Sequence, residues 1–295
     1  MKKTLCIIIF VVIIVLIVNF YQRQAVVEAI YHNDIAAVKK LVKYNPGLVN
    51  ATGTDACPSS ETMLHSAIHS HHKEISKFLI AKGADVNASN TYNQTPLHYA
   101  AEWGDVEIIQ LLLDKGANPN KKDFVSATSL YGTVRGGHEK AAQLLKKHGA
   151  KGTSRLQEAA AFGNAAAVKR ILQSDHSLIN KPDAMGFSLL YYAVINGHPE
   201  VVDVLLANGA KIVRKEYLLH TAVRGGSTKV AQRIIAAGVG VNSLDSAGCT
   251  PLHRAVQVHK KIWSYFYFPR VLILQLAAGY TALRWNLQRK EITTT

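Results

Sequence analysis

Apolar and polar positions along most of this chain recur at the spacing of short amphipathic helices that come in pairs. The clearest pair lies between Thr95 and Gly116. Thr95 can cap a first helix that opens with Pro96, where the missing N–H of proline costs nothing, and Gly104 ends that helix. Asp105 can cap a second helix, which Gly116 terminates in the left-handed conformation. The expected inward-facing positions are Leu97, Ala100, Ala101, Ile108, Ile109, Leu111 and Leu112.

The same pattern repeats along the chain at a fixed internal distance. It runs from a leucine near the start of the first helix, here called the frame leucine, to the residue that closes the second helix, 19 positions later. Val26 to Asn45 and Leu156 to Asp175 keep the distance, and we expect Asn and Asp to replace glycine there at positive φ. Because one helix pair cannot bury its apolar stripe alone, the copies must stack. The remaining copies are Leu64–Gly83, Leu97–Gly116, Leu130–Gly149, Leu190–Gly209 and Leu219–Gly238.

The connectors between the predicted helix pairs vary in length, whereas the pairs do not. From each closing residue to the next frame leucine the steps are 19, 14, 14, 7, 15, 10 and 14 residues. The 14-residue connectors are long enough for a projecting β-turn finger, and the 7- and 10-residue connectors are not. Variable loops outside a constant helical unit are typical of solenoid proteins.

The period of about 33 residues, the Thr-Pro-Leu-His segment at 95–98 and the Gly-Ala-Asp-Val-Asn segment at 83–87 resemble the ankyrin repeat. The resemblance covers residues 24–260. It implies an all-α ankyrin-repeat solenoid of about eight stacked helix pairs with short β-turn fingers. It also implies a concave surface of fingers and inner helices that binds a partner protein. The short connectors depart from the family near residues 150–155 and 211–216, which argues against a continuous groove there.

The N-terminal segment, residues 1–23, differs from the repeats and predicts one apolar helix. Lys2 and Lys3 precede an unbroken apolar run from Leu5 to Val18. Fourteen helical residues rise about 21 Å, against a hydrocarbon core of about 30 Å. No small-x-small cleavage site follows, which favours an uncleaved transmembrane anchor over a signal peptide. The two lysines favour a cytoplasmic N-terminus with the repeats across the membrane, although Arg23 weakens the asymmetry. A cleaved signal would instead give a secreted or periplasmic protein.

Positive charge is concentrated toward the C-terminal end. Residues 211–295 contain 13 Lys and Arg against 3 Asp and Glu, whereas residues 1–210 contain 21 against 17. This excess suggests an acidic partner, which is a protein face, lipid headgroups or nucleic acid, and a solvated surface without a partner is the alternative. Of these partners we expect nucleic acid least. Residues 261–295 predict a degenerate C-terminal repeat, because 279–283 again resembles a repeat opening. An aromatic patch that contacts a membrane or a partner, or a damaged coding frame, are the other interpretations.

Catalytic chemistry has no motif to support it. No phosphate loop, nucleophile elbow or zinc-protease pattern occurs, so we expect no enzyme and no cofactor. His65 and His69 lie one helical turn apart, which suits a metal. His65, however, shares its repeat position with His98 and His220, where the resemblance implies hydrogen bonds that tie loops together. We therefore expect structural histidines and no metal site.

The resemblance also implies which positions touch a partner. They are the residues four, three and one before the frame Thr or Ser, and seven and eight after it. Aromatic residues and arginine dominate interface hot spots, and an exposed apolar cluster generally has a reason. The alternative is that some rings pack between repeats, above all Phe187, which lies beside its frame serine. For the frames at 95, 128 and 188 the candidate residues are Tyr92, Gln94, Glu102, Trp103, Phe124, Arg135, Met185 and Ile195.

These observations favour a monomeric, membrane-tethered scaffold that binds an unknown protein partner, with an acidic partner favoured by the charge. Two alternatives stay open. One is a basic scaffold that docks on an anionic membrane or on nucleic acid through residues 211–295. The other is an exported ankyrin effector.

Overall fold

The computed structural model describes residues 2–52, 60–213 and 215–262. Over these residues the chain forms fifteen α-helices and two short 3-10 helices, with no β-strand. The predicted all-α class is therefore confirmed. The chain divides into two compact units, Met1–Thr153 and Ser154–Thr295. The division falls within the 7-residue connector between Gly149 and Leu156.

The first unit contains four helix pairs stacked in two rows. The first helices of successive pairs pack against each other and form an inner row, and the second helices form an outer row. The inner helices are α1 (Lys2–Tyr31), α3 (Met63–His69), α5 (Pro96–Trp103) and α7 (Ser129–Arg135). The outer helices are α2 (Ile35–Tyr44), α4 (Lys73–Ala81), α6 (Val106–Asp114) and α8 (Glu139–Lys147).

The second unit repeats this arrangement. Its inner helices are α9 (Arg155–Ala161), α11 (Leu189–Ile195), α13 (Lys215–Arg224) and α15 (Pro251–Ile262). Its outer helices are α10 (Ala165–Ser174), α12 (Pro199–Ala207) and α14 (Thr228–Ala236). The described residues thus contain seven complete pairs and the first helix of an eighth. Apart from residues 261 and 262, which end α15, the predicted degenerate repeat at 261–295 lies outside the described residues.

The frame leucines lie at the centre of the packing. Leu64, Leu97 and Leu219 are completely buried, and Leu130 is nearly so. Leu97 and Leu130 lie in α5 and α7, which are adjacent helices of the inner row. Complete burial of one leucine side chain contributes about 1.5–3 kcal/mol. Stacking of equivalent hairpins around these leucines is the arrangement that the 19-residue distance predicts.

The closing residues of the repeats follow the prediction in five pairs and depart from it in two. Asn45 has a φ of −136° and Asp175 one of −149°, so the expected positive φ is wrong at both. Each begins a short 3-10 helix, at Pro46–Asn50 and His176–Asn180, that buries apolar residues against its own pair. Since the 3-10 turn reverses the chain, no left-handed residue is required. The closing glycines with φ between +81° and +86° are Gly83, Gly116, Gly149, Gly209 and Gly238.

Helix α1 joins the N-terminal segment to the first repeat without interruption. Residue 23, where the two predicted segments meet, lies inside this helix. Val26 and Ile30, toward its C-terminal end, are buried in the first helix pair. Among the described residues, no helix combines the length and the apolar character that crossing a bilayer requires.

Candidate functional site

Four of the longer connectors form β-turn fingers with one shared hydrogen-bond pattern. They span residues 90–94, 123–127, 183–187 and 245–249. In each finger the first N–H donates to the carbonyl of the fifth residue over 2.9–3.0 Å. The side-chain oxygen of the first residue accepts the N–H groups of the third and fifth residues. Within the described residues, the 7- and 10-residue connectors form no such turn, as their lengths predict.

Tyr92 and Phe124 project from two consecutive fingers of the first unit. Their side chains are 51% and 68% exposed, and their ring centroids lie 5.7 Å apart. The N–H of Phe124 donates to the carbonyl of Tyr92 over 3.0 Å, and the Asn93 side chain donates to the Lys122 carbonyl over 2.6 Å. These bonds between fingers hold the two exposed rings side by side.

Trp103 lies at the end of α5 and is 45% exposed. Its ring makes edge contacts with His71, at 4.4 Å between centroids, and with His69, at 6.3 Å. Its exposed surface adjoins a small pocket between the second and third pairs. The pocket is lined by Ile68, His71, Lys73, Ser76, Trp103, Asp105 and Ile108.

Glu102 and Arg135 form an ion pair between α5 and α7. Both side chains keep more than two fifths of their surface exposed, so the pair contributes little to stability. Gln94 is half-buried, and its carbonyl accepts a hydrogen bond from His65. The candidate residues of the first unit thus take part in three separate contacts: one between fingers, one around Trp103 and one ion pair.

The second-unit candidates Met185 and Ile195 are both half-buried. Met185 lies on a finger, where its N–H donates to the Asp183 carboxylate. Phe187 stacks on Tyr191 with 4.3 Å between ring centroids. Phe187 therefore packs in the way that its position beside the frame serine suggested.

The frame histidines bind the fingers to the helices. The Nδ1 atom of His65 accepts the N–H of Thr62, and its Nε2 donates to the carbonyl of Gln94 over 3.1 Å. His98 makes the same two contacts with Thr95 and Ala127. Burial lowers the pKa of His65 to about 4 and also lowers the pKa of His98. These contacts give the frame histidines the structural role that the resemblance implied.

A second set of histidines, which the sequence interpretation missed, joins the turns between helices. His138 Nε2 donates to the carbonyl of Glu102 over 3.0 Å, and in the second unit His198 Nε2 donates to the carbonyl of Ala161 over 2.8 Å. Each ring lies against a glycine of the preceding pair: a Cβ added to Gly104 would lie 2.4 Å from His138 Cγ. The available signal was a glycine in one pair followed by a histidine in the next.

In its own helix pair, His71 occupies the turn position that Gly104 occupies in the following pair. Its φ is +60°, and the equivalent residues with positive φ in the other complete pairs are Asn33, Gly104, Gly137, Gly163, Gly197 and Gly226. The following pair has Asp105 instead of a histidine at the cap of its outer helix. That leaves room for the His71 ring, which packs against Trp103.

Asparagines form a further set of contacts that the sequence interpretation missed. The Asn87 amide donates to the carbonyl of Gly116 over 2.9 Å, and its oxygen accepts the N–H of Asn118 over 2.8 Å. Asn50 and Asn120 make the same two bonds in the first unit. In the second unit Asn180 does so. Each amide therefore joins its connector to the closing turn of the next pair.

The described part of the chain shows no metal-binding geometry. No group of three or more His, Cys, Asp or Glu side chains comes close enough there to hold an ion.

Comparison with known proteins follows the same repeat pattern. An ankyrin repeat protein of fowlpox virus (strain NVSL), FPV223, is 34% identical over 110 residues, which are 37% of this chain and 77% of that protein. A homologue of transient receptor potential cation channel subfamily A member 1 from Caenorhabditis elegans is 38% identical over 104 residues, 34% of this chain. Alpha-latrotoxin-Lg1a of Latrodectus geometricus is 30% identical over 123 residues, 39% of this chain. The matched parts are 8% of the channel and 9% of the toxin.

The family model described as ankyrin repeats (3 copies) matches residues 26–123 and 130–216. These ranges cover more than half of the 295 residues. Ankyrin repeats are generally non-catalytic interaction domains. The chain therefore belongs to the ankyrin repeat family, which indicates a protein–protein interaction scaffold.

Proposed function

We propose that this chain binds a partner protein through the fingers and inner helices of its first unit. The observation that carries the proposal is the exposed pair of rings of Tyr92 and Phe124, held together by hydrogen bonds between their fingers. Two large rings exposed to water and already fixed in position lose little conformational entropy when a partner covers them. Rings of this kind are typical interface hot spots.

Neighbouring side chains indicate the character of the partner. Lys122 is exposed immediately before the finger that carries Phe124. Trp103, at the end of α5, offers a second apolar contact. The ion pair of Glu102 with Arg135 joins α5 to the neighbouring inner helix α7. We therefore propose a partner that presents an apolar side chain flanked by acidic groups. The half-buried Met185 and Ile195 are proposed as additional contacts of the second unit.

We further propose that the N-terminal segment attaches the scaffold to a membrane, with the N-terminus on the cytoplasmic side. Its support is the apolar run from Leu5 to Val18 behind two lysines. The described end of this run keeps Ile17 and Val18 exposed. Removal of the segment as a cleaved signal is the alternative, and N-terminal sequencing of the chain from fractionated cells separates the two.

Site-specific photo-crosslinking in living cells tests the partner surface. A photoreactive phenylalanine is introduced at Tyr92, Phe124 or Trp103, and a matched control is introduced at Gln143, which is exposed on outer helix α8. We expect one protein to be crosslinked from the first three positions and not from Gln143. Crosslinks of equal yield from all four positions, or from Gln143 alone, would remove the proposed surface.

The double change of Trp103 and Arg135 to alanine extends the test. Each side chain is substantially exposed, so the variant should stay folded while capture of that crosslinked protein weakens about tenfold or more. Unchanged capture by a folded variant would exclude these two residues from the interface.

A further inference from the structure

The first helix pair exposes an apolar and aromatic cluster where α1 leaves the stacked helices. Ile17, Val18, Phe20 and Tyr21 are each at least 45% exposed. At 3.6 residues per turn they share one side of α1, opposite Asn19 and Gln22, and α2 does not cover that side. A continuous exposed apolar patch on a folded protein marks an interaction site.

The end of α2 lies at the same level as this cluster. The Asn45 side chain donates to Gln22 Oε1 over 2.8 Å and to Asn19 Oδ1 over 3.2 Å. Asn19 and Gln22 thus occupy the side of α1 that faces α2. Tyr44, the last residue of α2, is 75% exposed beside this contact. The end of α2 therefore adds an exposed aromatic side chain at the same level along α1, on the side opposite the cluster.

Basic side chains border the cluster on both helices. Arg23 is exposed on α1, one turn beyond Phe20, and Lys40 and Lys43 are exposed on the last turns of α2. Lys39 is not counted among these basic side chains because its Nζ lies over the ring of Phe78 in the next pair, at 5.9 Å from the centroid. We call Phe20, Tyr21, Arg23, Lys40, Lys43 and Tyr44 the docking edge.

The acidic side chains of this helix pair lie away from the docking edge. Asp34 caps α2 at its opposite end, where its carboxylate accepts the N–H of Ala37 over 2.9 Å. Glu28 is five residues beyond Arg23 on α1, about 7–8 Å farther from the cluster. At the level of the cluster, where Phe20, Tyr21, Arg23, Lys43 and Tyr44 lie, apolar, aromatic and basic groups therefore combine without a carboxylate from either helix.

This combination fits an anionic bilayer surface. Aromatic rings beside an apolar helix occupy the headgroup level of membranes, and basic side chains near that level attract anionic lipids. A second copy of this chain is a poorer occupant, because a symmetric contact would bring the three basic groups of each copy together. An acidic protein would satisfy the charges but would not cover the exposed apolar side chains of α1.

We infer that the first helix pair docks through the docking edge on an anionic bilayer surface, the one on the side of the membrane that carries the repeats, and this inference rests on the proposed membrane attachment. Since α1 continues unbroken from Lys2 to Tyr31, docking fixes the first repeats close to the lipid surface instead of leaving them on a loose tether. The two hydrogen bonds of Asn45 hold the end of α2 against α1.

Binding of the full chain to vesicles tests the inference. The vesicles contain phosphatidylcholine alone or phosphatidylcholine with about 30% phosphatidylglycerol, a content that gives a negative surface potential. We expect binding about tenfold or more stronger with the anionic lipid. Changing Lys40 and Lys43 together to Glu should remove most of this gain without altering binding to neutral vesicles. The matched control changes the exposed Lys140 and Lys147 of outer helix α8 to Glu, with the same change in net charge.

Two tyrosines test whether binding to vesicles depends on the docking edge or on any exposed tyrosine. Tyr31 and Tyr44 are both 75% exposed, but Tyr31 lies at the turn end of α1, about 18 Å along the helix from Asn19. We expect Tyr44→Ser to weaken binding to anionic vesicles by threefold or more, by roughly the loss of one interfacial ring. Tyr31→Ser should leave it unchanged.

The outcomes distinguish the docking edge from the proposed function. Equal binding to both kinds of vesicle, or equal losses in the Lys40/Lys43 and Lys140/Lys147 variants, would overturn the docking edge and leave membrane attachment standing. Binding to neither vesicle would overturn both, while the photo-crosslinking result for the partner surface would be unaffected. Self-association that depends on Tyr44, without lipid binding, would identify a second copy as the occupant and overturn the inference.

Discussion

At the scale of the residue, a small set of polar side chains joins each helix pair to the next. Asn87 bonds both a carbonyl and an N–H of the following pair, and His65 bonds its own cap and the next finger. Such bonds contribute modestly while they are made, and removal of one partner leaves the others unsatisfied. These side chains therefore control register between repeats more than they add to the core.

The change Asn87→Ala tests the asparagine contacts. It removes two hydrogen bonds to the neighbouring pair, and we expect the free energy of unfolding to fall by about 1–2 kcal/mol. Gln143→Ala is the control, because Gln143 bonds only to Glu139 on its own exposed helix surface. Urea unfolding followed by circular dichroism measures both variants. Equal stability of the two would mean that the asparagine bonds contribute nothing.

The buried His65 makes stability depend on pH. Native His65 takes up a proton only near pH 4, whereas an unfolded histidine does so near pH 6.5. The unfolded state therefore binds more protons between these values, so stability is lost as the pH falls from about 6.5 to about 4, by roughly 3 kcal/mol at most. We expect His65→Gln to flatten the dependence of the unfolding free energy on pH. The same change at exposed His69, on the same helix, is the control variant.

At the scale of the element, the turns between helices fit together across neighbouring pairs. His138 and His198 fill the space above a turn glycine and donate to a backbone carbonyl. His72 faces a pair whose turn residue is Asn33, and its Nε2 is buried without a hydrogen bond. A histidine at this position therefore hydrogen-bonds the neighbouring backbone carbonyl where the turn of the preceding pair has a glycine.

The pair Gly104→Ala and Gly116→Ala separates steric fit from backbone conformation. Gly116 has a φ of +84° with open space around it, so its change to alanine should cost only the left-handed conformation, about 1–2 kcal/mol. Gly104 has a φ of +67°, and its new Cβ would also meet the His138 ring. We expect an additional loss of about 1–3 kcal/mol there. In a His138→Ala background this excess should disappear in thermal unfolding; its persistence would show that the ring is not the cause.

At the scale of the whole molecule, two kinds of contact are proposed on different parts of the first unit. The partner surface relies on exposed rings at the finger tips, and the docking edge relies on basic and aromatic groups of the first helix pair. Salt screens charges in water but leaves apolar burial largely intact. The two contacts should therefore respond differently to ionic strength.

Raising the salt concentration from about 0.05 M to about 0.5 M tests this difference. We expect the gain in binding to anionic vesicles to be largely lost, while retention of the crosslinked partner falls only a few-fold. Both are measured on the full chain, with vesicles of neutral lipid as the reference. A partner contact that weakens as steeply as the lipid contact would be mainly electrostatic, contrary to the role given to Tyr92 and Phe124.

Much of the fold follows from local sequence because each repeat is a local unit. A capping threonine, a frame leucine and a closing glycine lie within about 22 residues of one another, so their spacing alone predicts a helix hairpin that must stack. Asn45 and Asp175 were mispredicted because the residues after them, not the closing residue itself, form the 3-10 turn that reverses the chain. Phe187 was a candidate for either partner contact or packing, and only its stacking on Tyr191 in the structure assigns it to packing.

The sequence by itself determined the repeat frame, the helix pairs and the connectors that carry fingers, because these depend on contacts between residues close along the chain. Only the tertiary structure decided which side chains meet across repeats. Asn87 with Gly116, His138 with Gly104, and Tyr92 with Phe124 are separated by about 30 residues, and their meeting depends on how one pair lies on the next. Each position lies about one repeat from its partner, and the stacking of the pairs brings the two side chains together.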